Sequence, residues 1–413
     1  MNNLPQAFRK VPRTGVIYAM NEARWHGYHP DDPTWANLGQ GAPETGALPG
    51  SPPRVNQVCF TDADCEYSPV AGLIELREAV AALYNTRYRK GRASQYTAKN
   101  VAIVAGGRTA LTRVASTLGR THLGHFLPDY TVYEELLEAF PSFVPMPIML
   151  DPRKRYRFDV DDLEREISGR GLGALLMSNP CNPTGKLVQG KEMEAWVALG
   201  RDLDCTLIID EFYAHYVYGG PDKSVSAASA VDDVNSDPVV ILDGLTKNWR
   251  YPGWRVAWVV GPEAVIDAVS SAGSFLDGGC ARPMQLAALP LLDAEVADAE
   301  AAAIQGSFRQ KRERMMAGLE ALNIPVDLSP EGGFYCWGDL SRLPSDRNNG
   351  RSFFLKALQA KVITVPGDFF DIDPGLRRSG RPSRFRHFAR FSFGPSMDTV
   401  EQGLEGLARA IKS

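Results

Sequence analysis

The chain has 413 residues, 44% hydrophobic and 23% charged, a balance that fits a globular protein with a sizeable core in one or two domains. A net charge of -4 gives no general attraction to nucleic acid or anionic membranes, and no apolar run reaches the roughly 18–20 residues of a bilayer span. The stretch MNNLPQAFRKVPRTG lacks the apolar core of a secretory signal, and six cysteines without CxxC spacing read as buried thiols, so a cytoplasmic protein is expected.

Residues 1–50, rich in Pro and Gly around GQGAPETGALPGSPP, read as a segment that packs on the small C-terminal domain. GLIELREAVAALYNTRY then shows the apolar spacing of a helix. From about residue 100 to 260, short apolar runs alternate with amphipathic segments such as KEMEAWVALGRDLD. The runs are VAIVAGG, HFLPDY, FVPMPIML, ALLMSNP, TLIIDEFY, VVILDGL and VAWVVG. Lacking strict alternation, they suit strands buried on both faces, and predict an α/β domain over 51–300 with a mainly parallel seven-stranded sheet between helices. Past residue 300 the character changes. SFRQKRERMMAGLEAL reads as a charged helix, and GGFYCWGDL and FARFSFG as strands of a smaller α+β unit over 301–413. The basic run LRRSGRPSRFRH, 376–387, reads as a solvated loop.

Sites in open α/β sheets lie at the carboxyl ends of the strands. The first run leads into a Gly-Gly turn that opens a helix, where free N–H groups can hold a phosphate; alone, such a turn is common. HFLPDY ends on Tyr130, a ring able to stack on a flat ligand or merely to pack. In MSNPCNPTG, two Asn-Pro pairs fix a loop that carries the amide Asn182. Asp210 ends an apolar strand, where an acid is either a helix cap or the partner of a buried cation, and Tyr213 follows it. Lys247 follows VVILDGL with Arg255 shortly beyond; desolvated beside a cation, a lysine becomes a usable nucleophile, whereas an isolated one is a surface residue. Each residue alone has an ordinary reading. Together, at the ends of strands in one sheet, they match the demands of pyridoxal phosphate.

The motifs NPCNPTG, DEFY and GLTKNWRYPGWRVAW, in this order, resemble those of the class I/II aminotransferases, the fold-type-I pyridoxal-phosphate enzymes. The resemblance runs from LGQGAP to ARFSFG. It implies that Lys247 forms the internal aldimine and shuttles the substrate proton, and that Asp210 keeps the pyridine nitrogen protonated. Asn182 and Tyr213 then bond the ring's phenolic oxygen and Tyr130 stacks on the ring. Gly107 and Arg108 offer backbone N–H groups to the phosphate, with Thr246 and Arg255 adding a hydroxyl and a charge. Tyr67 matches a tyrosine that relatives extend to the neighbouring subunit's phosphate, which implies a homodimer. Arg390 matches the arginine that grips the substrate carboxylate, and Gly41 a glycine lining that pocket. Gly244 departs from the pattern, since many relatives carry a phosphate-binding serine there.

The expected reaction moves the amino group of an amino acid to a 2-oxo acid. The alternative is a lyase or cyclase of specialised metabolism (β- or γ-elimination or replacement, or decarboxylation), which starts from the same adduct. A dinucleotide-dependent dehydrogenase would need Gly-x-Gly-x-x-Gly, which AGGRTA does not supply, and about 30 residues before LGQGAP are too few for a DNA-binding domain. The spaced pairs His26/His29 and His122/His125 have no further ligand pattern, so no metal is expected. Cys181, Trp249 and Trp254 read as filler and packing around the site.

Overall fold

The computed structural model describes residues 5, 7, 8, 11, 15–220, 222–378 and 380–412. A helix, α1 (Gly15–Trp25), and a two-residue strand, β1 (Ala36–Asn37), precede the main sheet. That sheet comprises β2 (Val101–Val104), β3 (His122–Leu127), β4 (Val144–Met149), β5 (Leu172–Ser178), β6 (Thr206–Asp210), β7 (Val239–Gly244) and β8 (Ala257–Val260). Their order is β2-β8-β7-β6-β5-β3-β4, and only β8 runs against its neighbours. The seven apolar runs are its seven strands, and the mainly parallel sheet is as expected. Every residue of β2, β7 and β8 is buried, which is why these segments do not alternate polar and apolar side chains.

The helices α2 (Ile74–Tyr88), α3 (Gly107–Thr117) and α4 (Val132–Ala139) belong to this layered unit. α2 buries Leu76, Val80, Leu83 and Tyr84, one stripe at helical spacing. α3 starts directly after β2, and α4 just after β3, so both begin at the carboxyl edge of the sheet.

A second, three-stranded antiparallel sheet contains β9 (Tyr335–Asp339), β11 (Val365–Pro366) and β12 (Phe388–Ser392), with β12 in the middle. The short strand β10 (Val362–Ile363) pairs in parallel with β1. The Tyr18 ring of α1 lies 5.1 Å from that of Phe369, so the N-terminal segment sits on this C-terminal unit. The division drawn at 300/301 falls inside one unbroken helix, Ala294–Ala321. Ala297 of that helix joins the core of the large sheet, whereas Ile304, Phe308 and Met315 join the core of the smaller unit.

Candidate active site

The carboxyl ends of β3, β5, β6 and β7 face one cavity of about 410 Å³, and every expected site residue except Tyr67 lines it. Tyr67 is 95% exposed.

Lys247 enters from the turn after β7. Its Nζ donates to the Gly41 carbonyl, and its pKa is pushed down to about 7. Burial is the main cause, followed by the charges of Arg390, Arg255 and Arg108, against the attraction of Asp210. The chain around it is tightly bent. Arg250 and Arg255 both hold positive φ, 59° and 56°, a region costly for residues with a Cβ. Arg250 compensates by donating to Glu300 at 2.7 Å and to the Glu44 carbonyl at 3.0 Å, which ties the lysine turn to the segment that carries Gly41.

At the start of α3 an anion cradle is ready. Gly106 has φ 90°, and a Cβ there would collide with the Arg255 guanidinium. A Cβ on Gly107 would lie 2.6 Å from the Phe212 ring. Both glycines let backbone N–H groups and Arg255 converge on one point. Thr246 Oγ1 is buried there without a partner among the described residues. An orphaned hydroxyl, a fixed cation and free helix N–H groups fit a phosphate.

The missing serine at Gly244 has a steric cause. A Cβ there would lie 2.5 Å from Cα of Ala257, the first residue of the neighbouring strand β8, and 2.7 Å from the Val256 carbonyl just before it. Gly244→Ser is therefore expected to cost about 1–3 kcal/mol of stability through overpacking, with no tighter cofactor binding. Thermal unfolding and a cofactor titration check this; a stable variant with a lower Kd would contradict it.

Asp210 closes β6 and is buried, which raises its carboxyl to about 6. The Tyr133 hydroxyl donates to it at 3.1 Å and the Phe212 N–H at 3.4 Å, and these with Lys247 oppose the rise. It caps no helix. Tyr133 is absent from the sequence-based site because nothing in VYEELLEA distinguishes it from a core tyrosine.

The Asn-Pro loop divides its labour. Asn179 bonds Val188 twice, accepting at 2.9 Å and donating at 2.8 Å, and so closes the loop. Asn182 faces the cavity, and its Oδ1 accepts from Arg390 Nη1 at 2.9 Å. Its backbone N–H donates to Ser178 Oγ at 3.0 Å, and that hydroxyl donates to the buried Asp129. Cys181 is buried and its thiol is pushed up to about 12, as suits a filler.

Arg390 on β12 is buried, with Nη2 donating to the Gly39 carbonyl at 2.7 Å and Nε unpartnered. No carboxylate pairs with it among the described residues. A buried guanidinium left so has the charge and the free donor to accept an anion. Tyr335, also missed from sequence, lies with its ring 4.1 Å from that guanidinium and its hydroxyl 2.8 Å from that of Tyr213.

No arginine of the 376–387 run lines the cavity. Arg378 instead bonds Asp371 at 2.5 Å, so the loop is partly tied down; Ser379 lies outside the described residues. Trp249 packs edge-on against Trp258, and Trp254 tilts over Tyr251.

A family model described as aminotransferase class I and II matches residues 33–407. A probable N-succinyldiaminopimelate aminotransferase DapC of Mycobacterium tuberculosis is 28% identical over 382 residues, 90% of this chain and 91% of its own. An aspartate/prephenate aminotransferase of Thermus thermophilus is 27% identical, covering 84% and 83%. Among solved structures, the Thermus thermophilus aspartate aminotransferase with maleate superposes with a TM-score of 0.78 at 24% identity, covering 99% of this chain and all of that one. An aminotransferase from Mycobacterium tuberculosis gives 0.79 at 23% identity, with both chains fully covered.

Proposed function

Since the chain belongs to the class I and II aminotransferases, we propose that its cavity holds pyridoxal phosphate and exchanges amino groups between an amino acid and a 2-oxo acid through Lys247. The observation that carries this reading is the convergence on one cavity of a lysine with pKa lowered to about 7, a buried acid and an anion cradle. When bound, the cofactor supplies an electrophilic carbon for the amino group and an electron-poor ring that draws electrons from Cα.

The chain's own groups do the rest. Gly107 and Arg108 N–H groups, Thr246 and Arg255 hold the phosphate, and Tyr130 covers the ring. Asp210, ionised at neutral pH, holds a proton on the ring nitrogen, and Tyr133 holds Asp210. Asn182 and Tyr213 donate to the ring's phenolic oxygen. Arg390 orients the substrate by its carboxylate, so that Lys247, freed and neutral, would take the proton from Cα and deliver it to the cofactor carbon that keeps the amino nitrogen. The Arg108 guanidinium lines the cavity with no hydrogen-bond or ion-pair partner among the described residues, which favours an amino acid bearing a second acid group. Aspartate, for which the Thermus thermophilus relative is named, is of that kind. Mixing the loaded protein with each amino acid in turn and identifying the product tests the reaction. A 2-oxo acid is expected, fastest from acidic donors; release of ammonia or carbon dioxide would refute it.

Asp210→Ala should leave cofactor bound but slow exchange of the substrate's α-hydrogen with deuterated solvent by about a hundredfold or more. An unchanged exchange rate, followed by NMR, would reduce Asp210 to a structural acid.

We also propose a cytoplasmic homodimer. Six unpaired thiols fit a reducing compartment. The exposed Tyr67 and Phe275, 95% and 74% exposed, lie on segments that meet where Ser68 and Pro69 approach Gly279. Such a surface suits burial against a second copy, with Tyr67 directed at that copy's phosphate. Sedimentation velocity should give a dimer; a monomer at micromolar concentration would overturn it.

A further inference from the structure

Tyr335 touches three groups that the proposed chemistry uses. On β9 it pairs with Ser392 of β12, and Arg390 pairs with Trp337, so Tyr335 and Arg390 are diagonal neighbours on one face of the sheet. Its ring lies 4.1 Å from the Arg390 guanidinium carbon, and its hydroxyl 2.8 Å from that of Tyr213. That hydroxyl also fills the space that a Cβ on Gly41 would need, 2.6 Å away, which explains why the residue beneath Lys247 Nζ is a glycine.

A phenol has one proton to give. If Tyr213 spends it on the cofactor's phenolic oxygen, the contact between the two tyrosines can form only with Tyr335 as donor. Donation into Tyr213 polarises its O–H and makes it a stronger donor in turn. A cation over the face of the Tyr335 ring draws electron density from its hydroxyl and strengthens the first link. A substrate carboxylate that neutralises Arg390 weakens it again.

Resting on the assignment of Tyr213 and Arg390 made above, we infer that Tyr335 is a positioning residue that reports the occupancy of the carboxylate clamp to Tyr213, and through it to the cofactor's phenolic oxygen. Substrate arrival would thus make the lysine-bound cofactor more basic at the moment when it must accept a proton from the incoming amine.

The test is a pH titration of the visible band of the cofactor-loaded protein, which reads the protonation of the lysine–cofactor bond, in wild type, Tyr213→Phe, Tyr335→Phe and the double variant. Each change keeps the aromatic ring. Tyr213→Phe should raise the midpoint, because it removes a donor that stabilises the deprotonated form. Tyr335→Phe should raise it by roughly half a unit to one unit, the range of a single net hydrogen bond. The double variant should titrate like Tyr213→Phe alone. Saturating propionate, an unreactive carboxylate, should raise the wild-type midpoint and that of Tyr335→Phe by less. An unmoved midpoint in Tyr335→Phe, additive shifts in the double variant, or equal propionate shifts would each overturn the relay while leaving the Tyr213 assignment standing. An unmoved midpoint in Tyr213→Phe would remove that assignment, and the relay with it.

Discussion

Lys247→Ala is expected to lower turnover by roughly 10³–10⁴-fold or more, because the variant loses both the covalent anchor and the group that moves the proton. The wild-type lysine should also be reactive at unusually low pH. Only the neutral amine attacks an aldehyde, and burial together with three nearby guanidinium groups brings its pKa down to about 7. The rate at which cofactor-free protein takes up pyridoxal phosphate should therefore rise through pH 7 and level off above it. An ordinary lysine would still be gaining reactivity toward its usual pKa near 10.5. Stopped-flow absorbance over pH 6–10, a range of about four units around the lowered and ordinary values, distinguishes the two. A rate still climbing at the alkaline end would mean that Lys247 is solvated in the cofactor-free protein.

Arg390→Lys should be almost as damaging for one class of substrate and harmless for another. Lysine keeps the charge but loses the planar fork that fixes a carboxylate by two parallel bonds, and it cannot also reach Asn182 and the Gly39 carbonyl as Arg390 does. Truncating one partner of a buried, hydrogen-bonded pair costs roughly 2–5 kcal/mol, so kcat/KM for an amino acid should fall about thirtyfold to several thousandfold. The decarboxylated amine never uses the contact, and its slow reaction should change little. Equal losses on both substrates would mean that Arg390 only braces the C-terminal unit.

The strands and their order of appearance were legible because burial on both faces leaves apolar runs with no alternation, and the turns between them are rich in Gly and Pro. Lys247, Asp210 and Asn182 stood out for a related reason: each lies at, or within a few residues of, the end of such a strand, where a polar residue is conspicuous. Tyr133 and Tyr335 could not. One lies within a helix and the other starts a strand of a different unit, and the contacts that give them a place reach across 77 residues to Asp210 and 122 to Tyr213. Nor could the sequence say why residue 244 is a glycine, since the obstacle is the backbone of the adjacent strand. The change of composition near residue 300 is real, yet it lies within a continuous helix that serves both cores.

All of the proposed chemistry depends on which amine the cofactor joins. Reducing the loaded protein with borohydride fixes that bond, and digestion followed by mass spectrometry locates it. The pyridoxyl group should appear on the peptide containing Gly244-Leu245-Thr246-Lys247, and should disappear in Lys247→Ala. A stoichiometric label on any other lysine would contradict the account.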